Sequence, residues 1–458
     1  MNLKNILRDT LTFKFDKSFG LDISDRSVEI IELEKFFRFS VVTYGRVELP
    51  EGVIEDGKIL DQNILAEKIK KLLKDAKPKV STNKVILSLP ESQVFVHCFT
   101  VDSKLKSGAL SSIITEKASL ALPINIDKTY WDFIEKPLAD KTQKLIMFIG
   151  VPKDVANSYV KFCNSIGLEV VSLCVESLSL ARTILKSSPK QSLIMDIGSK
   201  ATNISFFDSN DKISMSVTIP VAGESMTEAV NNGLKLEKAE AEALKIKLGF
   251  KNDKENTVRP IILPVMEEIL KETKEAIEYY ERTFNQKLDD VYIIGGGAML
   301  PAITDIIKDY LKRDVQIATS SYNINNYKHL VGKDNNFPVF ANVVGLGMLG
   351  ASGEFKDLNL LKKMPSSEVN SVNRLNLFNM GYLSKVNTVR TVLNNKFAMA
   401  VVIILIGVIF AVIYKQIQIY YPVVPAYKPV PFVPIKLRPV IQTGTSTLPV
   451  LGTSTKVK

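Results

Sequence analysis

The stretch Met195-Asp-Ile-Gly-Ser-Lys-Ala-Thr-Asn-Ile-Ser-Phe206 constrains this chain more tightly than any other. An apolar run from Ser192 to Ile194 feeds Asp196, then Gly198, then small polar residues, and apolar residues return through Phe206. That spacing predicts two strands joined by a tight turn, with a carboxylate and hydroxyls at its mouth. A glycine lets backbone N–H groups come close to a phosphate. Asp196 supplies the hard oxygen anion that a magnesium ion needs nearby. Hairpins with an aspartate at the turn are common and usually structural. This one gains weight from Gly20-Leu-Asp-Ile-Ser24 and Ile293-Ile-Gly-Gly-Gly297, which stand at matching points along the chain.

Bulk properties narrow the class of protein. A length of 458 residues suits two or three domains. Cys98, Cys163 and Cys174 lack metal-binding spacing and read as buried thiols in a reducing compartment. Only two histidines, His97 and His329, are present, far apart in sequence, which argues against a histidine metal site or triad. The net charge of +10 is unevenly placed. Residues 362–396 carry +5 and residues 415–458 carry +6, which leaves residues 1–361 at −1. A near-neutral body with basic flanks around an apolar segment points to a membrane surface and away from nucleic acid. That segment, Phe397 to Tyr414, is 18 uncharged residues bracketed by Lys396 and Lys415, with Tyr414, Tyr420 and Tyr421 at its outer end. It predicts a single membrane-spanning helix. The N-terminus lacks the apolar run of a signal peptide, so the large N-terminal part is expected in the cytoplasm and the C-terminal tail outside.

Along the chain, the N-terminal segment (1–17) reads as a short amphipathic helix and strand over Met1 to Phe15. From Ser18 the sequence predicts a strand, a turn and an alternating strand, then another strand over Phe36 to Leu49. Asp61 to Lys74 reads as a solvated helix with a lysine-rich face. Lys84 to Val101 reads as two strands around Pro90-Glu-Ser. A small mixed block, about Ser81 to Ile166, thus interrupts the chain before a strand at Leu168 to Val175 and a helix from Glu176. After the Asp196 turn come a strand to Val221, a helix from Gly223, a charged helix over Leu236 to Leu248 and a long helix over Val258 to Phe284. Then follow a strand into Gly295–Gly297, a helix to Leu311 and a small-residue helix over Phe340 to Ala351. Beyond Ser352 the composition shifts to a polar linker (353–396), the apolar span and a proline-rich tail (415–458).

The two strand–Asp turns and the triple-glycine turn, in this order, resemble the actin/Hsp70/hexokinase superfamily. Phe19-Gly-Leu-Asp-Ile, Leu87-Ser-Leu-Pro90, Val175-Glu176-Ser-Leu-Ser-Leu-Ala-Arg182, Gly223-Glu224-Ser-Met-Thr227 and Ala341 to Gly347 look most like the PilM family of type IV pilus assembly, in the branch that also holds FtsA. The resemblance covers about Ser18 to Ser352. It implies an α/β, two-lobed actin-like fold with a small inserted α/β subdomain, binding ATP and Mg2+ between the lobes. Carried over to this sequence, Asp22 and Asp196 face the magnesium ion, mostly through water. Ser24, Gly198, Ser199 and Thr202 lie by the phosphates, with Gly223 beside them. Gly295, Gly296 and Gly297 pass the nucleotide, and Glu242 and Lys245 match a helix that contacts the ribose. Glu176 stands where superfamily enzymes position the attacking water. The family also implies partners in the inner-membrane platform similar to PilN and PilO, an assembly ATPase, and no nucleic acid. Homo-oligomerisation stays open.

Two features depart from the family pattern. Where the first hairpin usually has glycine and small residues, this chain has Ser24, Asp25 and Arg26, which argues against tight ATP binding and more strongly against fast turnover; slow ATP hydrolysis stays open, and the expectation is primarily a nucleotide-binding scaffold. The C-terminus resembles the start of PilN fused to PilM. Leu358-Asn359-Leu360-Leu361-Lys-Lys-Met-Pro365, a linker and an apolar span follow in that order, and the sequence predicts that Asn359, Leu360 and Leu361 dock on the same chain's first half. The alternatives are a related secretion platform, an FtsA-like cell-division membrane anchor, a degenerate actin-like scaffold without nucleotide turnover, a sugar kinase of the same superfamily and a transmembrane signalling receptor.

Overall fold

The computed structural model describes residues 17–138, 142–185, 190–252, 257–326, 336–353 and 358–365. Strand β1 (Phe19–Ile23) is buried on every residue, which an apolar run with strands on both sides requires. It pairs antiparallel with β2 (Ser27–Lys35), Gly20 opposite Ile31, and β2 pairs antiparallel with β3 (Phe39–Glu48). A short hairpin, β4 (Ile54–Glu55) and β5 (Lys58–Ile59), leads to helix α1 (Gln62–Asp75). Asp61 caps α1, its carboxylate accepting from the Asn63 and Ile64 amides at 2.9 and 3.0 Å. Leu65, Ile69 and Leu72 form the buried stripe of α1, leaving the lysines outside.

Strand β6 (Lys84–Leu89) joins the first sheet, parallel to β1. The chain then leaves that sheet. Strands β7 (Phe95–Asp102), β8 (Thr129–Pro137) and β9 (Gln143–Pro152) form a separate antiparallel sheet in the order β7-β9-β8, with helix α2 (Ser107–Ala121) against it. This unit has its own small core, including Leu110, Ile114, Ile146 and Phe148. Helix α3 (Lys153–Ser165) returns to the first core, and β10 (Glu169–Val175) lies parallel to β6. Within the block expected over 81–166, the part with its own sheet is therefore 95–152. The two strands flanking Pro90 do not pair with each other but enter different sheets.

Helix α4 (Glu176–Ile184) leads into the second half. There β11 (Ser192–Ile197), β12 (Thr202–Phe207) and β13 (Ile213–Ile219) form an antiparallel run. Helices α5 (Gly223–Leu234), α6 (Lys238–Leu248) and α7 (Arg259–Phe284) follow, then β14 (Asp290–Ile294), α8 (Ile303–Leu311), β15 (Val315–Ile317) and α9 (Phe337–Ser352). Pro260 sits in the first turn of α7, where no intrahelical N–H is needed. Tyr280 of α7 stacks on Phe206 at 4.7 Å between ring centroids.

The two large sheets repeat one topology. The first runs β3-β2-β1-β6-β10 and the second β13-β12-β11-β14-β15. In each, three antiparallel strands are followed by two added in parallel. This duplication is why the Asp22 and Asp196 turns stand at matching points. Helix α9 is buried on nearly every residue and touches β1, β2, β6, α4 and β14. Its glycines allow that fit: a Cβ at Gly345 would meet the Ser179 hydroxyl oxygen at 2.5 Å. Among the described residues no helix is long and apolar enough to cross a membrane. The expected span at 397–414, the segment 1–16 and the proline-rich tail lie outside the described residues.

Candidate functional site: a carboxylate-lined cleft and a docked C-terminal segment

Four carboxyl groups, Asp22 and Glu91 buried and Glu176 and Asp196 half-buried, lie where the two halves face each other. Asp22, on β1, accepts from the Ser88 hydroxyl at 3.0 Å, and Ser88 in turn accepts from Asn342 of α9 at 3.1 Å. Burial raises the Asp22 pKa, and hydrogen bonds from Asn342 and Ser88 pull it partly back. Asp196, on β11, is pushed up to about 7 by burial, with the charges of Asp22 and Glu91 adding to the shift. Glu176, the first residue of α4, is held well above the usual carboxylate range by burial and then by Asp22, Asp196 and Glu91. Glu91 lies in a single 3-10 turn after β6 and is raised by burial, against hydrogen bonds from Ser177 and Ser216.

Glu91 was not among the residues the sequence singled out, because Pro90-Glu-Ser reads only as the connection between two strands. It is 3 % exposed. Its amide donates to Glu176 at 3.3 Å, and its carboxylate accepts from the Ser177 amide at 3.1 Å. It also accepts from the Ser216 hydroxyl of β13 at 3.1 Å, joining the first half to the second. Glu29, beneath Asp22 on β2, is pushed to about 8 by burial and the Asp22 charge, despite its 2.8 Å ion pair with Arg46.

The glycine turn is built around Asp196. Gly295 has φ +83°, and a Cβ there would collide with the Asp196 carboxylate and meet the Ile197 carbonyl at 2.5 Å. Gly297 is packed on Ile197, whereas a Cβ at Gly296 would meet nothing within 4 Å. One glycine of the three therefore presents an open backbone face. The second hairpin is tied to α5: Gly223 N donates to Gly198 O at 3.2 Å and Glu224 N to Ser199 O at 2.8 Å.

Other expected site residues have internal partners. Ser24 bonds within its own turn to Ser27. Thr202 is fully buried and its hydroxyl donates to the Val221 carbonyl at 2.8 Å. Lys245 is buried, donates to Gly223 O and Thr227 Oγ1 at 2.8 Å, and pairs with Glu242 at 2.7 Å. These two side chains thus fasten α6 to α5. Of the irregular residues of the first hairpin, Arg26 has a cross-cleft partner, and further ion pairs link the two halves. Arg26 pairs with Glu224 at 2.8 Å and with Glu51, Lys238 pairs with Glu51 at 2.6 Å, and Lys200 pairs with Glu55 at 3.3 Å. Asp25 accepts from the Gly57 amide at 3.2 Å.

The donor set fits a cation held through water. Among the described residues no group of three or more His, Cys, Asp or Glu side chains is arranged to hold a metal directly. None of Asp22, Glu91, Glu176 and Asp196 has an ion-pair partner among the described residues, and their mutual repulsion is visible in the raised pKa of Glu176. The buried side-chain carboxamide oxygen of Asn342, whose amide nitrogen donates to Ser88, accepts no hydrogen bond from the described residues. A hydrated divalent cation accompanying a phosphate chain would relieve this excess of acceptors.

A second arrangement lies away from the cleft, at the open edge of the first sheet. Residues Leu358, Asn359, Leu360, Leu361 and Met364 are buried in the first core, against β8 and β10. The Asn359 carboxamide oxygen accepts from the Leu173 amide of β10 at 3.0 Å and from Leu361 N at 3.1 Å. It thereby satisfies an edge-strand N–H that would otherwise have no ladder partner. Lys363 pairs with Asp132 of β8 at 3.1 Å.

The fold defined by two duplicated sheets with a carboxylate-lined cleft is the actin-like α/β fold. The chain belongs to the type IV pilus assembly protein PilM family, which matches residues 20–349. The solved structure of a PilM-PilN type IV pilus biogenesis complex superposes with a TM-score of 0.63 at 19% identity, covering 73% of this chain and 98% of that one. The ethanolamine utilization protein EutJ from Carboxydothermus hydrogenoformans superposes with a TM-score of 0.44 at 16% identity, over 75% of this chain and 96% of that one. The cell division protein FtsA of Bacillus subtilis (strain 168) is 22% identical over 192 residues, 37% of this chain and 43% of FtsA. The chain thus spans under half the length of that curated relative.

Proposed function

We propose that this chain is a membrane-anchored, actin-like nucleotide-binding scaffold of a type IV pilus inner-membrane assembly platform. The observation that carries the reading is the seating of Leu358 to Pro365 on the first lobe of a PilM-family domain. In the solved relative PilM is in complex with PilN. Here a segment with the Asn-Leu-Leu pattern of the PilN peptide belongs to the same chain and is followed by the apolar span at 397–414. The scaffold and its membrane link are in this reading one covalent unit, with the folded part cytoplasmic and the tail outside. Platform proteins similar to PilN and PilO are its partners.

The cleft's role follows from its donors. ATP would be held at its phosphates by the Ser24 and Gly198–Ser199 turns, with the open face of Gly296 available to its adenosine side. Asp22 and Asp196 would hold a magnesium ion through water, with the unpartnered side-chain oxygen of Asn342 nearby, and the ion would supply charge neutralisation of the phosphates. Glu176, with the Glu91 amide bonded to it, would be the residue to orient a water there. Occupancy acts by changing how the lobes close. Arg26, now paired with Glu224, is the residue a phosphate chain would draw away.

Crosslinking the tagged chain in membranes of its own organism tests the reading. Recovery of pilus platform proteins is expected. Recovery of cell-division proteins instead would favour the FtsA-like alternative and overturn the assignment.

A further inference from the structure

Four charged side chains form a closed circuit between the two halves. Arg26 and Glu51 come from the first half, Glu224 and Lys238 from the second. Glu224 Oε1 accepts from Arg26 at 2.8 Å and from Lys238 at 2.5 Å. Glu51 Oε1 accepts from Lys238 at 2.6 Å and from Arg26. Each half thus supplies one cation and one acid, and the signs alternate around the circuit. Two of the four pairs cross between the halves, and two lie within a half. Separating the halves breaks Arg26–Glu224 and Glu51–Lys238, while each half keeps its internal pair. No charge is stranded, so opening here avoids the penalty of splitting a buried ion pair. The circuit is also the solvated side of the joint, its side chains being 17 to 55% exposed. Two other links between the halves use acids that are almost fully buried: Glu91, bonded to Ser216, and Asp208, paired with Lys136.

We infer that this circuit is an autoinhibitory clasp on the cleft: Glu51 and Glu224 oppose the binding of a polyphosphate by holding Arg26 and by keeping the halves together. The inference rests on the reading of the cleft as a nucleotide site and adds its regulation. Arg26 lies in the turn between β1 and β2, two residues after Ser24, and the Glu224 amide donates to Ser199 O at 2.8 Å. The clasp therefore joins the two turns assigned to the phosphates. A polyphosphate is the ligand class that undoes it, because several anionic oxygens can replace both acids on the Arg26 guanidinium. A nucleoside without phosphates has nothing to offer in exchange. Solvated pairs are individually weak and screened by salt, so two of them make a contact that opens and re-forms. Lys200–Glu55, at 3.3 Å, is a third crossing pair outside the circuit. The buried links at Glu91 and Asp208 are the side about which the halves turn.

The test compares the full chain in lipid nanodiscs with the double variant Glu51→Gln, Glu224→Gln. Nitroxide labels at Leu60→Cys and Ile246→Cys, exposed positions on the two halves, are introduced together with Cys98→Ser. Pulsed EPR reads the label separation before nucleotide is added, and calorimetry reads the affinity for ATP with magnesium. The expected result is a longer or broader separation in the double variant. Its Kd for ATP should fall roughly 2- to 30-fold, the factor for two solvated pairs. Added salt should lengthen the separation in the parent and leave the variant unchanged. An unchanged separation overturns the inference even where affinity rises, because losing two negative charges beside the phosphates would raise it alone. An affinity that is unchanged or weaker in the variant also overturns it and leaves the nucleotide site intact. No ATP binding by either chain overturns the nucleotide reading and the inhibitory role with it, and the separation then reports only whether the circuit holds the halves.

Discussion

Replacing Asn359 by alanine tests how the C-terminal segment is held. The side-chain oxygen accepts from Leu173 N and Leu361 N, and the residue is 2 % exposed. Alanine leaves the Leu173 amide buried at a sheet edge without an acceptor, which costs about 1–3 kcal/mol. The segment can leave the edge of β10 without unfolding the sheet, so the cost falls on the docking equilibrium. At about 1.4 kcal/mol per factor of ten, the undocked population rises roughly 5- to 150-fold. Leu360→Ala removes a fully buried side chain and costs about 2–5 kcal/mol, so it should shift the same equilibrium further. Amide hydrogen exchange reads this directly. When reclosing is fast, exchange at Leu173 N accelerates by the factor that opening gains. Ile194, paired inside the second sheet, serves as the control and should not change. If Leu173 exchanges at the wild-type rate in both variants, the segment is not held by these contacts and the account of it is wrong.

Two more outcomes follow from the cleft. Gly295→Ala places a Cβ against the Asp196 carboxylate at a left-handed backbone position and should lower thermal stability by several degrees, while Gly296→Ala, with open space around it, should leave the melting temperature unchanged. Asp196 at about 7 and Glu29 at about 8 have folded pKa values above their unfolded ones, so the folded state holds the extra protons. Their contribution is full below about pH 4 and is lost as pH rises through 7 to 8. Denaturant midpoints of the nucleotide-free chain should therefore fall between pH 6 and pH 8.5 by virtue of these groups, and Asp196→Asn with Glu29→Gln should flatten that fall.

Much of the fold is legible locally. The Asp22 and Asp196 turns, helix α1 and the strand into Gly295 each announce themselves through alternation, helical periodicity or a glycine within a few residues. What escapes the sequence depends on distant partners. Glu91 looks like a turn residue until Ser177 and Ser216 come to it across 86 and 125 positions. Lys245 enters the expected site only through the resemblance, and nothing nearby in sequence shows that it donates to Gly223 and Thr227. Arg26 looks like a defect in a phosphate loop, and its partner Glu224 lies 198 residues on. The docked segment is an intermediate case. Asn-Leu-Leu is short, yet the apolar pattern with one carboxamide is what an edge strand beside an apolar groove selects.

The most direct test of the central claim is calorimetry of ATP binding to the full chain in lipid nanodiscs, with and without magnesium, beside Asp196→Ala. The account predicts magnesium-dependent binding that the substitution abolishes. No binding by the wild-type chain, or binding unchanged by Asp196→Ala, contradicts it.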